Sequence, residues 1–354
     1  MKGILLHGGH GTRLRPLTHT GPKQLLPIAN KPMSQYCVEA LKEAGIIDIA
    51  IVIGGIGSSK VKEYYGTGKK FGLNFTYIKQ DYPRGISHAI SLCQNFVGND
   101  KFVVFLGDNI LRGGIKKYAN EFDKSNADAS ILLCEVDDPS QFGIVEIQNG
   151  VIKKIVEKPK NPPSNLAVIG IYFLNSTIFD VIPKLKPSWR NELEITDALE
   201  VLLEEKREVI VNTVTENWKD TGTPDDIIHA NQFILETMVP FFLGEKEDDV
   251  LIDGKIMVGK NTVIKSGSKI FGPVILGENC IIESNSQIGP NVSIGNNSKI
   301  ANCKIKNSII MSDCVINCTV SINNSIIALN SKIIANEKDD EKVFLLGEGT
   351  KIVF

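Results

Sequence analysis

Residues 258–300 read VGKNTV IKSGSK IFGPVI LGENCI IESNSQ IGPNVS IGNNSK I. Written in sixes, the leading residue is apolar every time: Val258, Ile264, Ile270, Leu276, Ile282, Ile288, Ile294 and Ile300. In a chain that is 42% apolar, eight hits in one frame would arise by chance roughly once in a thousand, and β-helix hexapeptides supply a mechanism. The phase slips after Ile300 and resumes at Ile310, Ile316 and Ile322. An antiparallel sandwich would need period-two alternation and longer strands. Glycine follows the repeat residue at Gly259, Gly277, Gly289 and Gly295, where tight corners are expected to use positive φ.

Upstream, to about residue 240, short apolar runs alternate with amphipathic ones. Strands are expected at Gly3 to Leu6, Ile49 to Ile53, Phe75 to Lys79, Phe102 to Leu106, Ala129 to Val136, Val168 to Phe173 and Val209 to Val214. Helical spacing marks Met33 to Ala44 and Ile86 to Phe96. This alternation predicts a doubly wound α/β layer structure over residues 1–240, followed by the repeat domain over 241–354. The charged run Glu245 to Asp249 marks the join, and a second run, Glu337 to Lys342, sets off a strand-like tail, Val343 to Phe354. Ligands of open α/β sheets bind beyond the carboxyl ends of strands. That directs attention to Gly8-Gly9 after the first strand and Gly107-Asp108 after the fourth.

The 354 residues carry 39 Lys+Arg against 41 Asp+Glu, a net charge of -2. A nucleic-acid polymer is not an expected partner, because no excess of positive charge is present to displace counterions. No stretch approaches the ~20 apolar residues of a membrane span, and the N-terminus lacks the pattern of a signal peptide. The expectation is a cytoplasmic chain without membrane contact. Seven scattered cysteines without CxxC spacing read as buried free thiols. Cys303, Cys314 and Cys318 crowd together, but no histidine lies near them to complete a mixed metal site.

The first expected strand delivers Gly8-Gly9-His10-Gly11-Thr12-Arg13-Leu14. Consecutive amides in such a turn form a concave anion site, and Arg13 adds a permanent charge with fork geometry. Leu14 stands where a dinucleotide fingerprint needs its third glycine, and no Gly-Lys-Ser/Thr closes a Walker loop. This loop, with Lys23-Gln24-Leu25-Leu26-Pro27, resembles the signature of the sugar-1-phosphate nucleotidyltransferases. Matching motifs continue in order: Gln80 to Gly85, Leu106-Gly107-Asp108-Asn109, Phe142 to Glu146, Glu157-Lys158-Pro159, Leu193 to Asp197 and Trp218 to Thr223. The strongest likeness is to the long thymidylyltransferase members that carry a C-terminal extension. The repeat in turn resembles the hexapeptide left-handed β-helix, a three-sided prism with one hexapeptide per face and the repeat residue pointing inward. Together these imply a Rossmann-like nucleotidyltransferase domain followed by a left-handed parallel β-helix.

The resemblance implies that a phosphate oxygen of glucose 1-phosphate attacks the α-phosphorus of dTTP and pyrophosphate leaves. Arg13, Lys23 and Asp108 are then the catalytic residues, with Arg13 on the leaving phosphates and Lys23 at the reacting centre. Mg²⁺ would be held by Asp108 and Asp220, and substrate phosphates and water would complete its octahedron. Leu6, Gly8, Gly9, Gly11, Thr12, Arg13, Gln24, Gln80 and Gly85 would bind the nucleotide. Gly143, Glu157, Lys158, Gly170, Arg190, Glu194 and Trp218 would bind the sugar phosphate, the two glycines by close backbone approach and Trp218 as pocket wall or core. No general base is required, because the attacking phosphate is already ionised. His88 is expected on a helix wall near the base pocket, and His7 and His10 as hydrogen-bonding fillers. UTP is the rival donor, since uracil and thymine share the edge Gln80 would read. An acyltransferase activity in the β-helix would lack a histidine base, because all five histidines precede residue 230. A silent nucleotide-sugar-binding subunit would have lost Arg13, Lys23, Asp108 or Asp220, and none is lost. The prism's flat faces suggest a homo-oligomer.

Overall fold

The computed structural model describes residues 1–9, 11–215 and 218–334. His10 and the tail expected over 343–354 lie outside the described residues. The chain forms two compact units. One comprises Met1–His10, Thr20–Leu25 and Met33–Lys219; the other comprises Gly11–His19, Leu26–Pro32 and the chain from Asp220 onward. Two short N-terminal segments thus fall in the same compact unit as the C-terminal chain.

The first unit is built on β1 (Lys2–His7), α1 (Met33–Glu43), β2 (Asp48–Ile53), β3 (Asn74–Lys79), α2 (Ile86–Ser91), β4 (Phe102–Leu106), α3 (Lys116–Lys124) and β5 (Ala129–Glu135). It continues through β6 (Gly143–Gln148), β7 (Val151–Glu157), β8 (Leu166–Leu174), α4 (Ile195–Glu204) and β9 (Val209–Thr213). One mixed sheet runs β7-β6-β8-β4-β1-β2-β3, with β5 on β8 and β9 on β5. Strands β4, β1, β2 and β3 are mutually parallel, and β8 is antiparallel to β4. The continuous apolar runs of β1, β2 and β4 reflect burial on both faces, whereas β3, at the edge, alternates and has no fully buried residue. Ile4, Val52 and Val104 pack on one side with Ala89 and Ile90 of α2 and Leu199 of α4. Leu5, Ile51 and Phe105 pack on the other with Val38 and Leu41 of α1 and Phe122 of α3.

The hairpin β6–β7 was not among the expected strands. Its turn is Asn149-Gly150, with φ of 52° and 77°. That dipeptide is the sequence signal for a two-residue hairpin turn, and it pairs Gln148 with Val151. The helical run Ile86 to Phe96 is split into α2 and a separate turn, Gln94–Val97.

In the second unit, three parallel sheets of short strands form the left-handed parallel β-helix. Val258 pairs with Leu276, and Leu276 with Ile294, at a spacing of three hexapeptides. All eight repeat residues from Val258 to Ile300 are buried in one core. Ile294 then pairs with Ile310, and Ile310 with Ile327, so the phase slip in the sequence is a shortening of later coils. The corner glycines need correction. Gly289 has φ 100°, whereas at the corners that follow Gly259, Gly277 and Gly295, and at the next in that stack, the positive φ falls on asparagine or aspartate: Asn261, Asn279, Asn297 and Asp313. These residues tolerate the left-handed region, and they stack, with side-chain amide donations of 3.1, 3.2 and 3.0 Å from coil to coil. Gly259 and Gly277 are glycine for another reason. A Cβ on Gly259 would lie 2.6 Å from the Gly277 carbonyl, so the stacked coils leave no room for one. All seven cysteines are free and buried, and burial pushes the Cys303 thiol up to about 12. Among the described residues, no three or more of His, Cys, Asp and Glu gather as a metal group, and no helix is long and apolar enough to cross a membrane.

The inward register makes a paired prediction. Ile282 is fully buried and Ile281 is 36% exposed. Ile282→Ala should cost about 2–5 kcal/mol in denaturant unfolding, while Ile281→Ala should stay within about 0.5 kcal/mol. Equal losses would contradict the register.

Candidate active site

The carboxyl ends of β1 to β4 present Gly8-Gly9, Gly54-Gly55, Gln80 and Gly107-Asp108. The sheet order 4-1-2-3 places a topological switch point between β1 and β4. On the other side of β1, at the ends of β1, β2 and β3, a small pocket is lined by Gly8, Gly9, Gly54, Gly55, Gln80 and Pro83. Gly54, Gly55 and Pro83 were not among the expected site residues, although Gly-Gly directly after an apolar run was a readable signal. Gly54 must be glycine, because a Cβ would sit 2.3 Å from the Gln80 carbonyl.

Gln80 is 6% exposed. Its Nε2 donates to His88 Nδ1 at 2.9 Å and to the Gly85 carbonyl at 3.4 Å. The acceptor Oε1 lies 3.3 Å from where a Cβ of Gly8 would stand. The amide is thus oriented with its oxygen toward the glycine turn. His88 sits on α2 as expected, and burial together with the Arg84 charge lowers its pKa, which favours the neutral ring that accepts from Gln80. Gly85 has φ 97° and packs against Leu193, whose carbonyl would be 2.4 Å from a Cβ. Leu6 is buried in β1, in register with Val52 and Leu106.

Asp108 lies just beyond β4, and its Oδ2 is ion-paired with Lys23 Nζ. Asn109 Nδ2 donates to its Oδ1 at 3.0 Å. Burial pushes the Asp108 carboxyl up, but the Lys23 charge and hydrogen bond, with Asn109, outweigh it and hold the pKa below the ordinary range. The ionised pair therefore contributes stability above the usual carboxyl pKa, and that contribution is lost as pH falls through the lowered value. Gln24 is 2% exposed and donates to the Gly8 carbonyl at 2.9 Å. His7 is buried, and desolvation lowers its pKa to about 3 against the raising effect of Asp108. It is not the hydrogen-bonding filler expected: neither ring nitrogen has a partner.

Asn109 is a hub that sequence reasoning left without a role. Its Oδ1 accepts from Trp218 Nε1 at 2.6 Å and from the Gly170 amide at 3.2 Å. Trp218 is 8% exposed and packs edge-on to Phe142 at 5.6 Å, so the indole is a core residue. Gly170 does not open to free space, because Asn109 Nδ2 would be 2.7 Å from its Cβ. Gly143 likewise makes room for Thr196, 2.5 Å away by the same measure. On the side of the missing Cβ, both glycines are closely approached by the protein's own side chains.

Glu157, Arg190 and Glu194 are brought together. Arg190 NH1 reaches Glu157 at 3.4 Å and Glu194 at 3.5 Å. Ser188 Oγ donates to Glu194 at 2.8 Å, and Thr196 Oγ1 to Glu157 at 3.2 Å. Burial and the Glu194 charge raise the Glu157 pKa against the nearby cations. Lys158 adopts φ 41° at the end of β7.

In the second unit, Gly11 has φ 57° and caps the turn Thr12–Leu14, with Thr12 and Arg13 exposed. A Cβ on Gly222 would lie 3.1 Å from Asp220 Oδ2 and 3.4 Å from the Arg13 guanidinium, so the glycine lets this charged pair approach. The N-cap of the next helix, Pro224–Leu235, is Thr223 in a reciprocal box with Asp226. Asp220 is therefore not the capping residue of this helix. Both carboxylates of the expected metal pair are hard oxygen donors, and Asp108 is held ionised, which is the donor chemistry Mg²⁺ takes.

Comparison with known proteins gives consistent matches. The family described as "Nucleotidyl transferase" matches residues 2–237, and "GMPPB C-terminal domain" matches residues 270–352. The low-salt glycan biosynthesis nucleotidyltransferase Agl11 of Haloferax volcanii is 43% identical over 100% of this chain and 98% of its own. A glucose-1-phosphate thymidylyltransferase of Streptomyces antibioticus is 39% identical over 77% of this chain and 76% of its own. A Bacillus anthracis crystal structure, assigned as a glucose-1-phosphate thymidylyltransferase and solved with sucrose, superposes with a TM-score of 0.64. It is 44% identical over 68% of this chain and 97% of that one.

Removing one member of the buried ion pair should be worse than removing both. Lys23→Met should cost about 3–5 kcal/mol of unfolding free energy by stranding the Asp108 carboxylate. Adding Asp108→Asn should recover part of that loss, and a strictly additive double variant would show the charges to be uncoupled.

Proposed function

Since the chain belongs to the nucleotidyl transferase family, we propose that it transfers a thymidylyl group from dTTP to glucose 1-phosphate, giving dTDP-glucose and pyrophosphate. The observation that carries the nucleotide half is Gln80, whose amide oxygen is directed toward Gly8 by donations to His88 and Gly85. An acceptor at that place suits the N3–H of thymine or uracil, whereas cytosine has no N–H there. Next to Gly8, Gly9 has open space where a Cβ would stand. Similarity to thymidylyltransferases supports thymine, and similarity to Agl11 leaves the sugar open within the proposal.

The sugar phosphate oxygen forms the new bond to the α-phosphorus as the bond to the β-phosphate bridging oxygen breaks. The electron pair leaves with pyrophosphate, so no side-chain base is needed. Lys23, steadied by Asp108, would stabilise charge at the α-phosphate, and Arg13 would take the leaving phosphates. Mg²⁺, with Asp108 and Asp220 as its proposed ligands, supplies charge neutralisation and orientation when bound. Glu157 and Glu194 would accept sugar hydroxyls, and Lys158 would meet the sugar phosphate. Arg190 is engaged by three glutamates, so its role is to hold these carboxylates in place. The reading includes a cytoplasmic homo-oligomer, supported by the apolar Phe241, Leu243 and Leu251 that the β-helix exposes.

Pyrophosphate release should be monitored with glucose 1-phosphate and each of dTTP, UTP, ATP, CTP and GTP, with and without Mg²⁺. The expected result is fastest release with dTTP and loss of release on chelation. Preference for UTP would make the chain a uridylyltransferase, and no release with any pair would sink the catalytic reading.

A further inference from the structure

The loop between β8 and α4 exposes an indole whose two sequence neighbours bond the carboxylates of Glu157 and Glu194. Trp189 is 82% exposed, an unusual state for the largest apolar side chain. The backbone that carries it is tightly fixed. Ser188 N–H donates to the Glu192 carbonyl at 2.8 Å, Asn191 N–H donates to the Ser188 carbonyl at 2.8 Å, and Asn191 has φ 61°. Both sequence neighbours of Trp189 are bonded to the carboxylate cluster. Ser188 Oγ donates to Glu194 and accepts from the Arg190 amide at 3.1 Å, and the Arg190 guanidinium joins Glu157, Glu192 and Glu194. A closed, hydrogen-bonded turn thus fixes the backbone of an exposed aromatic residue between two residues that are bonded to hydroxyl acceptors. A pyranose has the complementary chemistry: hydroxyls at its rim and a face of C–H groups, which carry partial positive charge and suit the negative face of an aromatic ring.

We propose that Trp189 is a specificity-determining residue that lays its indole on the C–H face of the hexose while Glu157 and Glu194 take its hydroxyls. The inference rests on the sugar-1-phosphate reading above and adds to it a residue that selects among sugars by the orientation of their C–H face. An axial hydroxyl on that face would lift the ring from the indole, so epimers should be discriminated at this contact.

The test uses the full chain, which has two tryptophans. Trp189→Ala should raise KM for glucose 1-phosphate roughly three- to tenfold, with kcat and the nucleotide KM held within about twofold. Trp189→Phe should restore most of the affinity. In the unsubstituted protein, dTDP-glucose should quench the long-wavelength tryptophan emission where dTDP does not, and the difference should vanish in Trp189→Phe, which retains only the buried Trp218. Turnover with an unchanged sugar KM in Trp189→Ala overturns this inference alone. A change in molecular size by light scattering without a KM change also overturns it, by assigning the indole to contact with a second copy. If the unsubstituted protein neither turns over glucose 1-phosphate nor responds to dTDP-glucose, the functional reading fails and this inference with it.

Discussion

A carboxylate at the end of an apolar strand remains charged only if a partner compensates for the water it loses. Lys23 is that partner for Asp108, and much of the first unit's ligand end is arranged around the pair. The lysine comes from a short segment whose next residue, Gln24, holds the Gly8 carbonyl. The residue after the aspartate, Asn109, ties Asp108 to Gly170 on β8 and to Trp218. Gly107 allows this crowding, since its Cβ would lie 2.8 Å from the Leu6 carbonyl. Positive charge is thereby kept at the switch point of the sheet without leaving a buried ion unpaired. That is the condition under which the charges at this end of the sheet are compatible with a stable fold.

The second unit answers a different physical problem. Its coils must turn every six residues with little space inside the corner. Asparagine supplies the left-handed backbone and then uses its side chain to bond the asparagine one coil away. Isoleucine fills the interior, where a β-branched side chain packs well on a strand. The same residue types therefore encode turn, stack and core. Shortening of the later coils changes the period without changing what points inward.

Much of this was legible in the sequence because it repeats or alternates. The buried set from Val258 to Ile300 and the strands that carry Gly8 and Asp108 can be read from pattern alone. The hairpin β6–β7 was missed because Ile144-Val145-Glu146 reads as a motif before it reads as a strand, although Asn149-Gly150 marked its turn. Gly143 and Gly170 show that a glycine by itself says only that something comes close. Whether that is a ligand or a neighbouring side chain depends on long-range packing, here by Thr196 and Asn109. Asn109 as a hub was hidden for the same reason, since its partners lie 61 and 109 residues away. Gly54 and Gly55 were within reach of the same strand-end rule that found Gly8 and Asp108, because they stand at the carboxyl end of β2, a third parallel strand of the sheet.

In the proposed reaction Gln80 reads the base edge at the glycine turns, and the reacting phosphate lies at the Lys23–Asp108 pair. A crystal structure of the chain with dTTP and Mg²⁺ tests it most directly. The arrangement predicts thymine N3–H donating to Gln80 Oε1 between Gly8 and Gly54, with the α-phosphate within hydrogen-bond reach of Lys23. A base bound elsewhere, or an α-phosphate remote from Lys23 and Asp108, would contradict it.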